Sequence, residues 1–280
     1  MATDRGSLDR TPAGAGFVHL EHASGAAARI ALHGAQVVSW TDPEGRERLY
    51  LSDRARFGPG DSIRGGIPVI FPQFGPGPLP KHGLLRTRRW DLLAHSRSAA
   101  TFRITDDEQT RALWPYPFAA ELTVELSETL AITLAITNPG RSPFKFTAAL
   151  HNYFAVADVQ GAAVHGLAGL EYVDKVAGNS LQAQETSELV LRYETDRIYV
   201  AGPRQVSIEQ ALGSSATLIG SDGFGDWVVW NPWRDGASAL PDMEPGDYLK
   251  MLCVEAARIS DPMLLAPGAA WYGKEVLGLT

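Results

Sequence analysis

Apolar residues recur at every second position along much of this chain. From residue 121 to residue 138, Leu122, Val124 and Leu126 alternate with polar neighbours. A Ser127-Glu128-Thr129 step intervenes, and Leu130, Ile132, Leu134 and Ile136 resume the alternation. Side chains of a strand point to opposite faces in turn, so this spacing predicts two half-buried strands joined by a tight turn. Apolar or alternating runs at 17–22, 28–32, 36–40, 100–104, 144–153, 216–219, 227–230 and 248–255 predict further strands. Gly, Pro, Asn and Asp punctuate the gaps, with 28 Gly and 18 Pro in all. No long stretch follows the helical period, and residues 54–57 and 242–245 are expected to form at most a turn or so of helix. Many short strands between turn residues favour an all-β sandwich or barrel. The Gly/Pro-rich stretch 74–80 is short and has apolar runs on both sides, so it does not read as a linker. Residues 1–16 carry Asp4, Arg5, Asp9 and Arg10 without an apolar core. The expectation is a flexible tail over 1–16, not a secretory signal, followed by a single domain over 17–280.

Composition narrows the class. Apolar types make up 45% of the 280 residues and charged types 20%, which is globular rather than disordered. Cys253 is the only cysteine, so no disulfide framework or thiolate cluster is expected, and a reducing cytoplasm is the simplest compartment. No apolar run approaches the ~18 residues of a membrane-spanning helix. A net charge of −7 argues against nucleic acid or an anionic membrane as partner. The charge is uneven, however. Residues 54–97 hold eight basic residues (Arg54, Arg56, Arg64, Lys81, Arg86, Arg88, Arg89, Arg97) against Asp61 and Asp91, a net of +6 that leaves −13 for the remainder. A basic island in an acidic chain suggests a local anion site; solvated surface charge is the plain alternative.

Five segments could carry chemistry, each with a structural reading beside it. In Ile63-Arg64-Gly65-Gly66-Ile67-Pro68-Val69-Ile70-Phe71-Pro72-Gln73-Phe74-Gly75, the arginine stands at a strand entrance and the glycines permit close backbone approach; a buried strand with a turn would look the same. In Pro80-Lys81-His82-Gly83-Leu84-Leu85-Arg86-Thr87-Arg88-Arg89-Trp90, Lys81, His82 and Arg86 bracket Gly83 as a site loop would. If that segment is extended, Arg86 and Arg88 share a face and Arg89 takes the other. In Leu150-His151-Asn152-Tyr153-Phe154, His151 is either a satisfied core residue or an acid/base group held by packed neighbours. In Met251-Leu252-Cys253-Val254-Glu255-Ala256, Glu255 must be paired or must line a cleft. In Gly225-Asp226-Trp227-Val228-Val229-Trp230-Asn231-Pro232-Trp233, three tryptophans either stack on a ligand or fill the core. There is no Gly-x-Ser-x-Gly elbow, no P-loop and no His-x-His or His-x-x-x-His pair, so a zinc site is not expected.

Taken together and in order, these stretches resemble the hexose-6-phosphate mutarotases of the aldose 1-epimerase superfamily. The match rests on Arg64-Gly-Gly-Ile-Pro-Val with Phe71-Pro-Gln-Phe-Gly75, His82-Gly-Leu-Leu-Arg86 with Trp90, Leu150-His-Asn-Tyr-Phe154, and Trp230-Asn-Pro232 followed by Asp242-Met243 and Cys253-Val-Glu255. The resemblance implies a large antiparallel β-sandwich of the galactose mutarotase type. It also implies interconversion of the α and β anomers of an aldohexose 6-phosphate, glucose 6-phosphate first among them, without metal or cofactor. It places His151 as general acid and Glu255 as general base, with Arg64, Arg86 and Lys81 near the substrate, beside His82 of the same loop. Asp196 matches a family aspartate that holds sugar hydroxyls. The chain departs from the pattern at Lys81, Leu84 and Asn152, where Gln, an aromatic and Thr are expected.

The chemistry suits those residue types. Ring opening takes a proton from the O1 hydroxyl and gives one to the ring oxygen O5. With ordinary pKa values of about 4.3 and 6.5, a carboxylate and an imidazolium are available near neutrality. A phosphate of about −1.5 to −2 charge would be repelled by an acidic chain unless a basic island reversed the field locally. The alternatives are an aldose 1-epimerase acting on unphosphorylated sugars and a non-catalytic carbohydrate-binding sandwich. The partner expected is a small sugar phosphate, and a monomer is favoured.

Overall fold

The structure, a computed structural model, describes residues 8–10, 16–210 and 215–280. Among these residues, strands paired antiparallel form sheets of four, eight and nine strands, as the two-residue period requires. The two strands expected between 121 and 138 are Ala119–Leu126 and Leu130–Thr137, in register throughout. Their apolar positions Leu122, Val124, Leu130, Ile132, Leu134 and Ile136 are all buried. They face a core shared with Phe146, Leu150, Val254 and Ala256 of the eight-stranded sheet. The expected all-β sandwich is what the chain forms. No helix among the described residues is long and apolar enough to cross a membrane.

At the centre of the eight-stranded sheet, the strands Thr195–Tyr199, Asp226–Asn231, Met251–Leu265 and Phe144–Leu150 lie side by side in that order. The strand expected over 144–153 is interrupted: it stops at Leu150 and resumes as Tyr153–Ala155, leaving His151 and Asn152 outside the ladder. Two glycines bring the Arg64 loop up against this region. Gly65 and Gly66 both have positive φ, and a Cβ on them would lie 2.4 Å from the Tyr50 carbonyl oxygen and 2.2 Å from that of Val37. No other residue fits there.

The pattern missed elements that lack a buried face. Asp91–His95 and Ser180–Ala183 are sheet-edge strands, largely exposed, so they carry no apolar alternation to read. Several short strands between residues 162 and 210 escaped for a related reason, since each is only three to six residues long. The helix Glu108–Leu113 buries only Thr110 and is held by a reciprocal cap in which Asp107 and Thr110 bond each other's backbone. A second short helix, Trp233–Ala239, follows the last tryptophan segment, and residues 242–245 precede a 3-10 turn at Asp247–Lys250. Within the stretch expected as a tail, Leu8–Arg10 pairs with residues 16–18 as an outer strand; the rest of 1–15 lies outside the described residues.

One core residue is a carboxylic acid. Glu275, in the strand Ala270–Leu279, is fully buried, and burial pushes its carboxyl up to about 8, against a hydrogen bond from Asn152 that pulls the other way. The native state therefore keeps a proton that the unfolded chain releases. Glu275's contribution to stability is complete below its ordinary value of 4.5 and is lost as the pH rises to about 8. Glu275→Gln should thus gain on the wild type by roughly a few degrees in Tm over that interval and level off above it. Thermal melts across the pH range check this, and a difference independent of pH would contradict it.

Candidate active site

Register decides which side chains meet. Leu150 pairs with Ala256 and Tyr153 with Cys253, so His151 stands opposite Glu255 across the break. The next strand continues both rows: Val228 pairs with Glu255 and Trp230 with Cys253, and beyond them Ile198 pairs with Val228 and Asp196 with Trp230. Two neighbouring cross-strand rows result: Ile198, Val228, Glu255, His151 and Asp196, Trp230, Cys253, Tyr153. Residues two apart on a strand share a face, so the rows lie on one side of the sheet and form a floor. On it His151 Nε2 approaches Glu255 Oε1 to 3.3 Å. The His151 ring stacks on Tyr153 at 4.8 Å and 13°, and the edge of Trp230 meets both.

Loops wall this floor into a cleft. Every residue expected at the site lines it: His151, Glu255, Arg64, Lys81, His82, Arg86 and Asp196. Arg64 arrives pre-set, its guanidinium forked on Asp242 at 3.2 Å and 3.2 Å and donating to the Tyr153 hydroxyl at 2.8 Å. Arg86 donates to the Lys81 carbonyl at 2.9 Å, while its Nε has no protein partner among the described residues. His82 has φ 67°, a backbone conformation rare outside glycine, and its Nδ1 accepts the Gly75 N–H at 3.3 Å. That bond leaves Nε2 as the ring's donor.

A family model described as aldose 1-epimerase matches residues 17–278. The chain belongs to the aldose 1-epimerase family. A relative from Cenchrus ciliaris, named "Putative glucose-6-phosphate 1-epimerase", is 36% identical over 284 aligned positions, 96% of this chain and 86% of that one. A relative of the same name from Escherichia coli is 33% identical over 245 positions, 84% of this chain and 80% of the other. Among solved structures, the YeaD protein of Salmonella typhimurium superposes with a TM-score of 0.88 at 26% identity, covering 98% of this chain and 96% of its own. A galactose mutarotase related enzyme from Lactobacillus acidophilus shares the fold, with a TM-score of 0.78 at 15% identity and 94% and 97% of the two chains covered.

The basic island of this epimerase-family chain divides on folding. Only Arg64, Lys81 and Arg86 reach the cleft. Arg54, Arg88 and Arg97 pair with Glu244, Asp107 and Glu21, and Arg56 and Arg89 are exposed. The segment after His82 is a turn rather than an extended strand, so Arg86 and Arg88 do not share a face as alternation suggested. A fourth cation, Lys175, comes from outside the island and sits 3.6 Å from Asp196. Sequence reasoning missed it because it follows a four-residue strand, Glu171–Asp174, with little pattern of its own. Phe74, Tyr153 and Trp230 also line the cleft, while Trp227 is core, so the three tryptophans do not act together.

Burial reverses the protonation expected from ordinary values. It pushes the His151 imidazole well down, helped by Arg86 and Arg64. It pushes the Glu255 carboxyl well up, with Asp196 and Glu275 adding to the effect and Lys175 opposing it. The 3.3 Å contact is thus better described as neutral imidazole against carboxylic acid than as an ion pair. Burial and the four cations hold His82 down to about 2, so it stays a neutral donor at any working pH. Lys81 is also lowered, first by desolvation and then by Arg86, Lys175 and Arg64.

The floor also brings donor atoms of His151, Cys253 and Glu255 within 4.8 Å of one another, a grouping no sequence spacing revealed because it is assembled across strands. The fit to a metal ion is poor. The Cys253 thiol is pushed well up by burial, and Arg64, Lys81, Arg86 and Lys175 surround the place a cation would occupy. In sugar-free protein, ¹⁵N NMR should find the rings of both His151 and His82 neutral at pH 6; an imidazolium pattern for His151 there would contradict the effect assigned to burial.

Proposed function

We propose that this aldose 1-epimerase family member interconverts the α and β anomers of an aldohexose 6-phosphate, with glucose 6-phosphate as the first candidate. The observation that carries the reading is the His151–Glu255 contact on the floor of a cleft ringed by Arg64, Lys81, Arg86 and Lys175. O1 and O5 are bonded to the same carbon, so a donor and an acceptor a hydrogen-bond length apart can serve both. Contact between the two groups also favours catalysis over a non-catalytic sugar-binding sandwich, which has no need to bury an imidazole against a carboxyl.

In the ring-opening step Glu255, as carboxylate, takes the O1 proton while His151, as imidazolium, gives one to O5; the C1–O5 bond breaks and C1 becomes an aldehyde. Rotation about C1–C2 presents the other face, and closure returns both protons. Each such group typically contributes about 10²–10⁴ in rate. The two protonation patterns carry the same total number of protons. The neutral imidazole and carboxylic acid favoured by burial are the pattern that accompanies the open-chain aldehyde, so desolvation stabilises that intermediate. Phosphate on the cation ring would cancel part of the field that holds His151 down, and this favours the imidazolium needed to start. His82 Nε2–H donates to a sugar oxygen, Asp196 accepts from hydroxyls, and Arg64 and Arg86 with the lysines hold the phosphate.

Anomer exchange measured by NMR on several hexose 6-phosphates tests this. His151→Ala and Glu255→Gln should each lower exchange by at least about 10², with little further loss in the double variant, because donor and acceptor act as a unit. Near-wild-type turnover in either folded single variant would sink the assignment.

A second measurement addresses the substrate. A charge-assisted contact is worth about 1.5–3 kcal/mol, or about one to two decades in affinity. Arg86→Ala should therefore cut kcat/KM for a hexose 6-phosphate by about that factor and leave the slower reaction of the free hexose almost unchanged. Equal loss on both would move the substrate to the unphosphorylated sugar.

A further inference from the structure

The anomer-exchange chemistry uses one face of the central sheet, and the reverse face carries a polar pair it does not use. Glu275 reaches from the nine-stranded sheet into the sandwich core, and its Oε1 accepts from Asn152 Nδ2 at 2.6 Å. The second hydrogen of the same amide goes to the Val254 carbonyl at 3.0 Å. Val254 is the residue opposite Asn152 in the register, where the ladder is open because His151 and Asn152 send their own N–H groups to Pro68 and Leu150. A single side-chain amide thus bridges the break, and Glu275 holds it in place.

His151 lines the cleft while its chain neighbour Asn152 is buried in the core on Glu275. Holding Asn152 down into the core therefore keeps His151 up in the cleft, towards Glu255. We propose that Glu275 is a positioning residue for the acid/base pair, acting through Asn152 to hold the break in the strand so that His151 meets Glu255. This rests on the reading of the cleft as an anomer-exchange site. A carboxyl is a poor choice for packing alone, since an apolar side chain of similar size would fill the core without desolvating a polar group. Its use here is as a directional acceptor. Burial keeps it largely protonated near neutrality, so its charge is not needed and glutamine should substitute for it.

The test compares Glu275→Leu, Glu275→Gln and Asn152→Leu in the full chain, reading kcat, KM and the ¹⁵N resonances of the His151 ring. Glu275→Leu and Asn152→Leu should each lower kcat on a hexose 6-phosphate by about ten- to hundredfold, the scale of a small misplacement of a reacting group. KM should stay within about twofold, because the cation ring is untouched. Glu275→Gln should recover most of the kcat. The His151 resonances should move in both leucine variants and stay near wild type in the glutamine variant. If Glu275→Leu does not fold, Asn152→Leu carries the same test from the other end of the link. A folded leucine variant with a lower Tm but wild-type kcat and wild-type His151 resonances would overturn the proposal. If the wild type exchanged no aldose anomers at all, the functional reading would fall, and the His151 resonances alone would decide the positioning role.

Discussion

The cleft depends on one register, that of Leu150 against Ala256 and Tyr153 against Cys253. It puts His151 and Glu255 opposite each other, but the strand must leave its ladder for two residues. Backbone groups released in a buried place need other partners. The loop after Arg64 supplies part of them, since the N–H groups of His151 and Tyr153 bond to the carbonyls of Pro68 and Gly66, while that of Asn152 turns back to Leu150. The segment that frees the imidazole therefore also carries the first cation of the ring. The close approach of Gly65 and Gly66 to Tyr50 and Val37 fixes that segment in turn.

Electrostatically, the cleft sets two demands against each other. It gathers Arg64, Lys81, Arg86 and Lys175 around one cleft, and it keeps His151 and Glu255 away from water. Both act to keep the imidazole neutral. In the proposed ring opening His151 is the acid, so the cations' charge has to be offset when the reaction begins. On the proposed hexose 6-phosphate reading, the ligand's own phosphate does this, which makes the anchoring group part of the proton chemistry.

Much of this was legible in the sequence because it rests on alternation. The sandwich core of 119–137 follows from the two-residue period alone, and the burial of Leu122 through Ile136 is its direct outcome. Arg64 and Glu255 could be singled out because a cation beside a glycine pair and an acid in an apolar strand both need explaining. Asp196 had no such mark; it enters the cleft through its pairing with Trp230, a contact 34 residues away in the chain. Lys175 was invisible for the same reason, as it acts through Asp196, a partner that only the folded chain brings near; Asp242 stood in a matching stretch, but its grip on Arg64 shows only in the fold. The limit of alternation shows at Arg86 and Arg88, where the chain turns and the rule of opposite faces no longer applies.

The floor of the cleft and its rim come from different parts of the architecture. His151, Glu255, Asp196 and Trp230 belong to, or directly adjoin, the paired strands at the centre of the sheet, whereas Arg64, Lys81, Arg86 and Lys175 are carried by the surrounding loops and turns. Such a division makes the fold modular. Insertions and exchanges in loops are tolerated where changes in a central strand are not. A lineage could therefore rebuild the rim for a different sugar, with or without phosphate, while the reaction at its floor stayed the same.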